Sequence, residues 1–242
     1  MDRYNILRNA LDELGIPYSE EQIEKFKVYK ELVLKWNECI NLTTITSEDE
    51  FILKHYIDSI MCAKEKSFIE ANAIVDIGTG AGFPGIPLAI LFPRKRFTLV
   101  DSLAKKINIV REMANEIGLK NVTLVHKRAE DLGANKKDRE AYDLCISRAV
   151  ARLAVLSEYC LPLVKVGGAF IAYKGDEIEM EISDSKNAIE ALGGKIEAIT
   201  PFVNGDNQTE ELKHHLIIIK KISTTPAHFP RKAGLPNKEP IL

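Results

Sequence analysis

Apolar positions along this 242-residue chain keep a helical spacing at first and a strand-like one later. Ile6, Leu7, Ala10, Leu11 and Leu14, then Ile23, Phe26, Tyr29, Leu32, Val33 and Trp36, recur every three or four residues and predict two amphipathic helices within 2–38. Gly15-Ile16-Pro17 separates them, and Ser19 with Gln22 three residues on is a capping-box pattern. A polar turn over 37–46 (NECINLTTIT) follows, and Ser47 is placed to cap a further helix that turns Phe51, Ile52, Tyr56, Ile57 and Ile60 inward. From residue 73 the pattern changes. Short β-branched runs at 73–77, 96–101, 121–125, 142–147 and 169–173 alternate with helical stretches at 86–92, 103–117, 153–161 and 177–192, the second of them with Ser102 as its cap. Such alternation predicts a parallel sheet covered on both faces. The last apolar runs, 195–203 and 215–222, have only the polar stretch 204–211 between them and are expected to pair antiparallel. The expected fold is therefore α/β, Rossmann-like, with a seven-stranded, mostly parallel sheet. A helical extension (1–70) precedes it, a nucleotide-binding domain spans 71–222, and a Pro-, Lys- and Arg-rich tail (223–242) docks back through Phe229, Leu235 and Ile241.

The first strand ends in chemistry. Asp76 is followed by Gly78-Thr79-Gly80-Ala81-Gly82-Phe83, and Pro84 opens a helix. Glycines there admit positive φ and remove Cβ atoms, so a ligand can lie against bare N–H groups at a helix start. Two ligands compete for that loop. Gly80-x-Gly82-x-x-Gly85 with Asp101 downstream satisfies a dinucleotide fingerprint. The longer pattern D-x-G-x-G-x-G, begun by Asp76, resembles motif I of class I S-adenosylmethionine (SAM) methyltransferases. A pyrophosphate gains nothing from an added carboxylate, whereas a sulfonium and an ammonium do. Asp101 ends the second strand, where a carboxylate can accept ribose hydroxyls for about 1.5–3 kcal/mol. Asp76, Asp101, Glu130 and Arg148 all fall at strand carboxyl ends, the place where ligands of open parallel sheets bind.

Composition narrows the rest. A net charge of −2 gives no bulk attraction to nucleic acid or membrane, so affinity for RNA must come from local patches. No apolar run approaches a membrane span and the first residues lack a signal-peptide layout, so a cytoplasmic protein is expected. Cys39, Cys62, Cys145 and Cys160 contain no CxxC pair and read as reduced thiols, with no metal site implied. His55 and Asp58 lie three apart on one helix face, either as a pair closing the domain boundary or facing substrate.

Taken together, NLTTIT (41–46), His55-x-x-Asp58-Ser59, DIGTGAGFPGIPLAI (76–90), LVDSLAKK (99–106), RAED (128–131), ISRAV (146–150), YKG (173–175) and PRKAGLPNKEP (230–240) resemble the RsmG (GidB) family of bacterial 16S ribosomal RNA guanine-N7 methyltransferases. Departures fall mainly in the tail, at Phe229 and Ile241. The resemblance implies SAM contacts at Gly78, Phe83, Ala129, Glu130 and Arg148, to which the strand-end and loop arguments add Asp76, Gly80, Gly82 and Asp101. It implies a small-subunit RNA substrate, met through Asn41, Lys174, Arg231 and Lys232, with His55, Asp58 and Arg148 positioning the base. A monomer is expected. Guanine N7 carries an in-plane lone pair, so no general base is required. Two rival readings stay open: an NAD-type oxidoreductase and a non-catalytic RNA-binding module.

Overall fold

In the computed structural model the described residues are 2–176, 178–204 and 212–242, with backbone alone described at 203, 204, 212 and 213. Helix α1 (Asn5–Leu14) ends at Gly15 with φ 65°, and α2 (Glu20–Asn37) opens on the full Ser19–Gln22 capping box. A continuous helical run follows: α3 (Glu48–Phe51), one wide π-helical stretch (Ile52–Ile57), α4 (Asp58–Ile60) and a 3₁₀ turn (Met61–Lys64), then α5 (Lys66–Glu70). The π-helical stretch was not legible in the apolar spacing. It holds His55, and such widenings recur at functional sites.

The strands are β1 (Ala73–Ile77), β2 (Arg96–Asp101), β3 (Val122–His126), β4 (Tyr142–Arg148), β5 (Val164–Lys174), β6 (Gly194–Asn204) and β7 (Leu212–Lys221). Between and after them lie α6 (Gly85–Leu91), α7 (Ala104–Glu116), α8 (Ala129–Ala134), α9 (Leu153–Cys160), α10 (Glu179–Ala191) and α11 (Leu235–Lys238). The sheet order is β3-β2-β1-β4-β5-β7-β6, with β7 antiparallel to both neighbours. The turn expected at 204–211 lies, from 205 on, outside the described residues. β5 begins five residues earlier than its apolar run because Val164 already pairs with Tyr142, ahead of the Gly167-Gly168 irregularity.

Strand alternation divides the core. Ile74, Leu99, Ile146 and Ile171 face one side, where they pack with Leu7, Phe26, Tyr29, Phe51 and Tyr56 of the N-terminal helices. Val75, Val100, Cys145 and Phe170 face the other, against Leu153, Leu156 and Ile189. The first 70 residues thus share a continuous core with one sheet face and cover it as a layer. Two expected caps differ. Ser47 donates its hydroxyl to Glu50 instead of capping, and the helix after β2 starts at Ala104, with Asp101 Oδ1, not Ser102, accepting the Leu103 N–H at 2.9 Å.

Candidate active site

The glycine loop is organised from beneath by Asp76. Its Oδ2 accepts the Thr79 hydroxyl at 2.6 Å and the Gly85 N–H at 3.1 Å, while Oδ1 is buried with no partner among the described residues. Full burial, only partly offset by those donors, pushes the carboxyl up to about 7. Asp76 therefore shapes the loop and does not line a cavity, which corrects its expected place beside a ligand. The loop glycines answer to different neighbours. At Gly82 (φ 102°) a Cβ would come within 2.6 Å of the Tyr29 hydroxyl, which donates to Ala81 O and ties α2 to the loop. At Gly78 (φ 74°) a Cβ would meet Val150 at 2.3 Å. Gly80 donates its N–H to Asp101 Oδ2 at 3.0 Å.

A cavity of about 560 Å³ opens at the carboxyl ends of β1, β2 and β3. Gly78, Asp101, Ala129 and Glu130 line it, and half-exposed Leu103 and Val150 form an apolar rim. The residues fit SAM. Each Asp101 oxygen already accepts one backbone N–H and keeps a second lone pair for a ribose hydroxyl. Glu130 Oε1 accepts the Gly234 N–H at 2.7 Å, and Oε2 has no partner among the described residues. The acidic rim expected from sequence is only half of the picture, since Lys106, Lys127, Arg128 and Lys238 line the same cavity.

Arg148 and Phe83 stand apart from that cavity. Arg148 lines a second one, of about 450 Å³, with His55, Asp58, Lys174 and His214. Its Nη1 donates to Asp58 Oδ2 at 2.5 Å and to Lys54 O at 3.0 Å, and its guanidinium lies 5.2 Å from the centre of the Phe83 ring. His55 stacks on the Phe83 ring, 4.4 Å between centres and nearly parallel. Arg148 Nη2 donates to His55 Nδ1 at 3.4 Å, so the Nε2–H points to Thr43 Oγ1 at 2.7 Å. Burial, with the Arg148 cation beside it, holds His55 down at about 3, so the ring is neutral. Asp58 bonds His214 Nδ1 at 2.6 Å and is kept ionised by His214 and Arg148 against its own burial. His55 and Asp58 therefore share Arg148 and make no bond to each other among the described contacts. Segment 148–151 separates the two cavities: Arg148 and Ala149 face the second, Val150 and Ala151 the first, with Ala149 at φ 57°.

The four residues expected to meet RNA fare differently. Asn41 and Lys232 are exposed. Lys174 reaches Glu181 at 2.5 Å and Ala151 O at 2.7 Å, on the wall of the second cavity. Arg231 is not a free surface cation: it forks onto the buried Glu158, Nε to Oε1 at 3.0 Å and Nη2 to Oε2 at 2.6 Å. Sequence reasoning missed Thr43, Tyr29, His214 and Glu158. All four act across more than ten residues of chain, and where a local pattern includes one, as NLTTIT includes Thr43 and the apolar helix face Tyr29, it does not name the partner.

A family model described as rRNA small subunit methyltransferase G (GidB) matches residues 22–212. The chain is 48% identical over 242 residues, all of both chains, to ribosomal RNA small subunit methyltransferase G of Clostridium perfringens (strain 13 / Type A). It is 45% identical over 245 residues, again all of both, to the protein of that name from Alkaliphilus metalliredigens (strain QYMF). Among solved structures, M. jannaschii TYW2 in complex with AdoMet is similar in fold, with a TM-score of 0.50 and 18% identity over 68% of this chain and 77% of that one. The reversed β7 lodged between β5 and β6 departs from the 3-2-1-4-5-6 order of dinucleotide-binding sheets, and the oxidoreductase reading falls with it. A match that runs from the first residue to the last settles the question the glycine loop had left open: the chain belongs to the rRNA small subunit methyltransferase G family, class I methyltransferases whose methyl donor is SAM.

Proposed function

We propose that this protein methylates N7 of a guanine in 16S ribosomal RNA of the small subunit. The observation that carries this reading is the pair of cavities sharing 148–151 as their wall, one suited to an adenosyl group and the other to a planar base. When bound, SAM supplies a methyl carbon activated by its sulfonium. N7 offers an in-plane lone pair and no proton, so the protein's task is alignment, and holding two reactants in line is a large source of rate. The side chains agree with that task. His55 is neutral, stacked and hydrogen-bonded on both nitrogens, and the two oxygens of ionised Asp58 are taken by Arg148 and His214.

Gly78, Asp101, Ala129 and Glu130 are the residues to hold SAM, with Gly80, Gly82 and Asp76 shaping the loop beneath. His55, Asp58, Arg148 and Lys174 position the base. Asp58 sets a carboxylate beside Arg148, which limits repulsion between that cation and a base that becomes cationic. The major groove of A-form RNA is too narrow for side chains, so N7 must be reached in an unpaired or flipped guanine. Lys106, Lys127, Arg128 and Lys238 at the cofactor mouth, with exposed Lys232 and Asn41, supply a local positive face that the net charge conceals. Residues 1–70 serve as the substrate-side layer, 71–222 as the SAM-binding domain and 223–242 as the tail, in a monomeric cytoplasmic protein. No helix among the described residues is long and apolar enough to cross a membrane.

Labelled-methyl transfer to small subunits lacking the modification, followed by nucleoside identification, tests this. Label recovered in 7-methylguanosine supports it, and label in another nucleoside or in protein refutes it. RNA retention with no SAM-dependent transfer favours a binding module.

A further inference from the structure

The tail after β7 is expected to dock, but the way it docks reaches the cofactor. Lys221 is buried and donates Nζ to Leu161 O at 2.7 Å, and the Thr225 hydroxyl donates to Leu192 O at 2.8 Å. Arg139 spans the next turn, giving Nη2 to Thr225 O at 2.7 Å and Nη1 to Phe229 O at 2.6 Å. Arg231 then fixes the chain on Glu158, whose Oε1 also accepts the Arg231 backbone N–H at 2.8 Å. A forked ion pair with a fully buried carboxylate is a directional clamp. Beyond it the chain turns at Gly234 (φ 85°), donates the Gly234 N–H to Glu130, and lays α11 so that Asn237 and Lys238 line the cofactor cavity.

We propose that the tail is a working part of the SAM site: residues 234–238 form one wall of the cavity, and the Gly234 N–H orients the Glu130 carboxylate into it. Glu130 is almost fully buried, so its rotamer is set by whichever donors surround it, and the tail amide takes one of its two oxygens. The other is thereby aimed at the ligand. Glu130 and the tail lie in two motifs that the resemblance marks, RAED (128–131) and PRKAGLPNKEP (230–240), and the fold joins them through the Gly234 N–H. The clamp explains why Arg231 is not on the RNA face. Its guanidinium holds the wall in place, and charge reversal there (Arg231→Glu) sets a second carboxylate against buried Glu158 and opens the cofactor cavity. The inference rests on the assignment of SAM to the larger cavity and is independent of which RNA is methylated.

The test compares the full chain with one ending at residue 233, which keeps the Arg231–Glu158 clamp, by titrating each with SAM in a calorimeter. The shortened chain is expected to bind SAM at least tenfold more weakly, with its unfolding midpoint in urea little changed. Glu130→Gln is expected to weaken binding as well, and combining the two is expected to cost less than their sum, because the tail acts partly through Glu130. In turnover the shortened chain is expected to show a KM for SAM raised at least tenfold, a KM for the ribosomal subunit raised far less because only Lys238 of the positive face is lost, and kcat recovered at saturating SAM. An unchanged SAM affinity, or a raised KM for the subunit alone, overturns the proposal and returns the tail to the RNA face. Should the shortened chain fail to fold, full-length Asn237→Ala/Lys238→Ala decides: weaker SAM binding supports the wall, and unchanged binding removes it. Failure of the wild-type protein to bind SAM counts against the cavity's assignment itself.

Discussion

Asp76 allows a prediction worked directly from geometry. Its carboxyl is pushed up to about 7 from an ordinary 3.8 because burial disfavours the charged form. A group raised in this way contributes stability that is fully present below the unfolded value, near pH 4, and lost as pH rises through the folded value near 7. The gap is worth about 4 kcal/mol at about 1.4 kcal/mol per tenfold change in proton affinity. Asp76→Asn keeps the contacts and removes the titration. Thr79 and Gly85 both donate to Oδ2 alone, which an amide oxygen can replace, and the amide nitrogen then occupies the position of the unpartnered Oδ1. That is also the situation of the protonated acid, so the two proteins are expected to lie within about 1 kcal/mol of each other at pH 4.5, where only the start of the titration has been passed. By pH 8 the variant should exceed wild type by up to about 4 kcal/mol. Urea unfolding of both proteins without SAM, across that range, measures the difference, and other titrating groups cancel between them. Stability curves that run parallel refute the reasoning and mean that Asp76 is ionised throughout.

Gly78→Ala combines a positive φ with a Cβ 2.3 Å from Val150, so SAM affinity is expected to fall by about tenfold or more, with partial recovery in Gly78→Ala/Val150→Ala, read by calorimetry. Asp101→Ala removes the ribose acceptor along with the acceptor for the Gly80 and Leu103 N–H groups, and should raise the SAM dissociation constant by roughly tenfold or more. An unchanged constant excludes Asp101 from the site. Asp58→Ala strands the largely buried Arg148 cation and is expected to cost about 3–5 kcal/mol in chemical denaturation, since removing one member of a buried pair leaves the other uncompensated. A loss below about 1 kcal/mol shows that Arg148 finds another partner.

The sheet was legible because its rules are local. β-branched runs, a glycine turn at the end of the first and an acid at the end of the second announce themselves within a few residues, although β3 at the sheet edge is only half-buried. The N-terminal helices were legible for the same reason, through spacing and a capping box that the structure reproduces. The π-helical stretch at Ile52–Ile57 was not, because apolar spacing cannot distinguish it from the α-helix it interrupts. Nor was the division of the strand-end residues, since the identity of an acid or an arginine says nothing about which way it turns.

Fold class, glycine loop and family likeness can all be read along the chain. It takes the folded molecule to put Asp76 under the loop, to turn Arg148 to Asp58 and away from the larger cavity, and to clamp the tail onto Glu158 through Arg231. Backbone pattern is dictated by neighbours along the chain. The partner of a buried charge is chosen by desolvation, which forces it onto whichever opposite charge the fold delivers, here 90 residues away for Arg148 and 73 for Arg231.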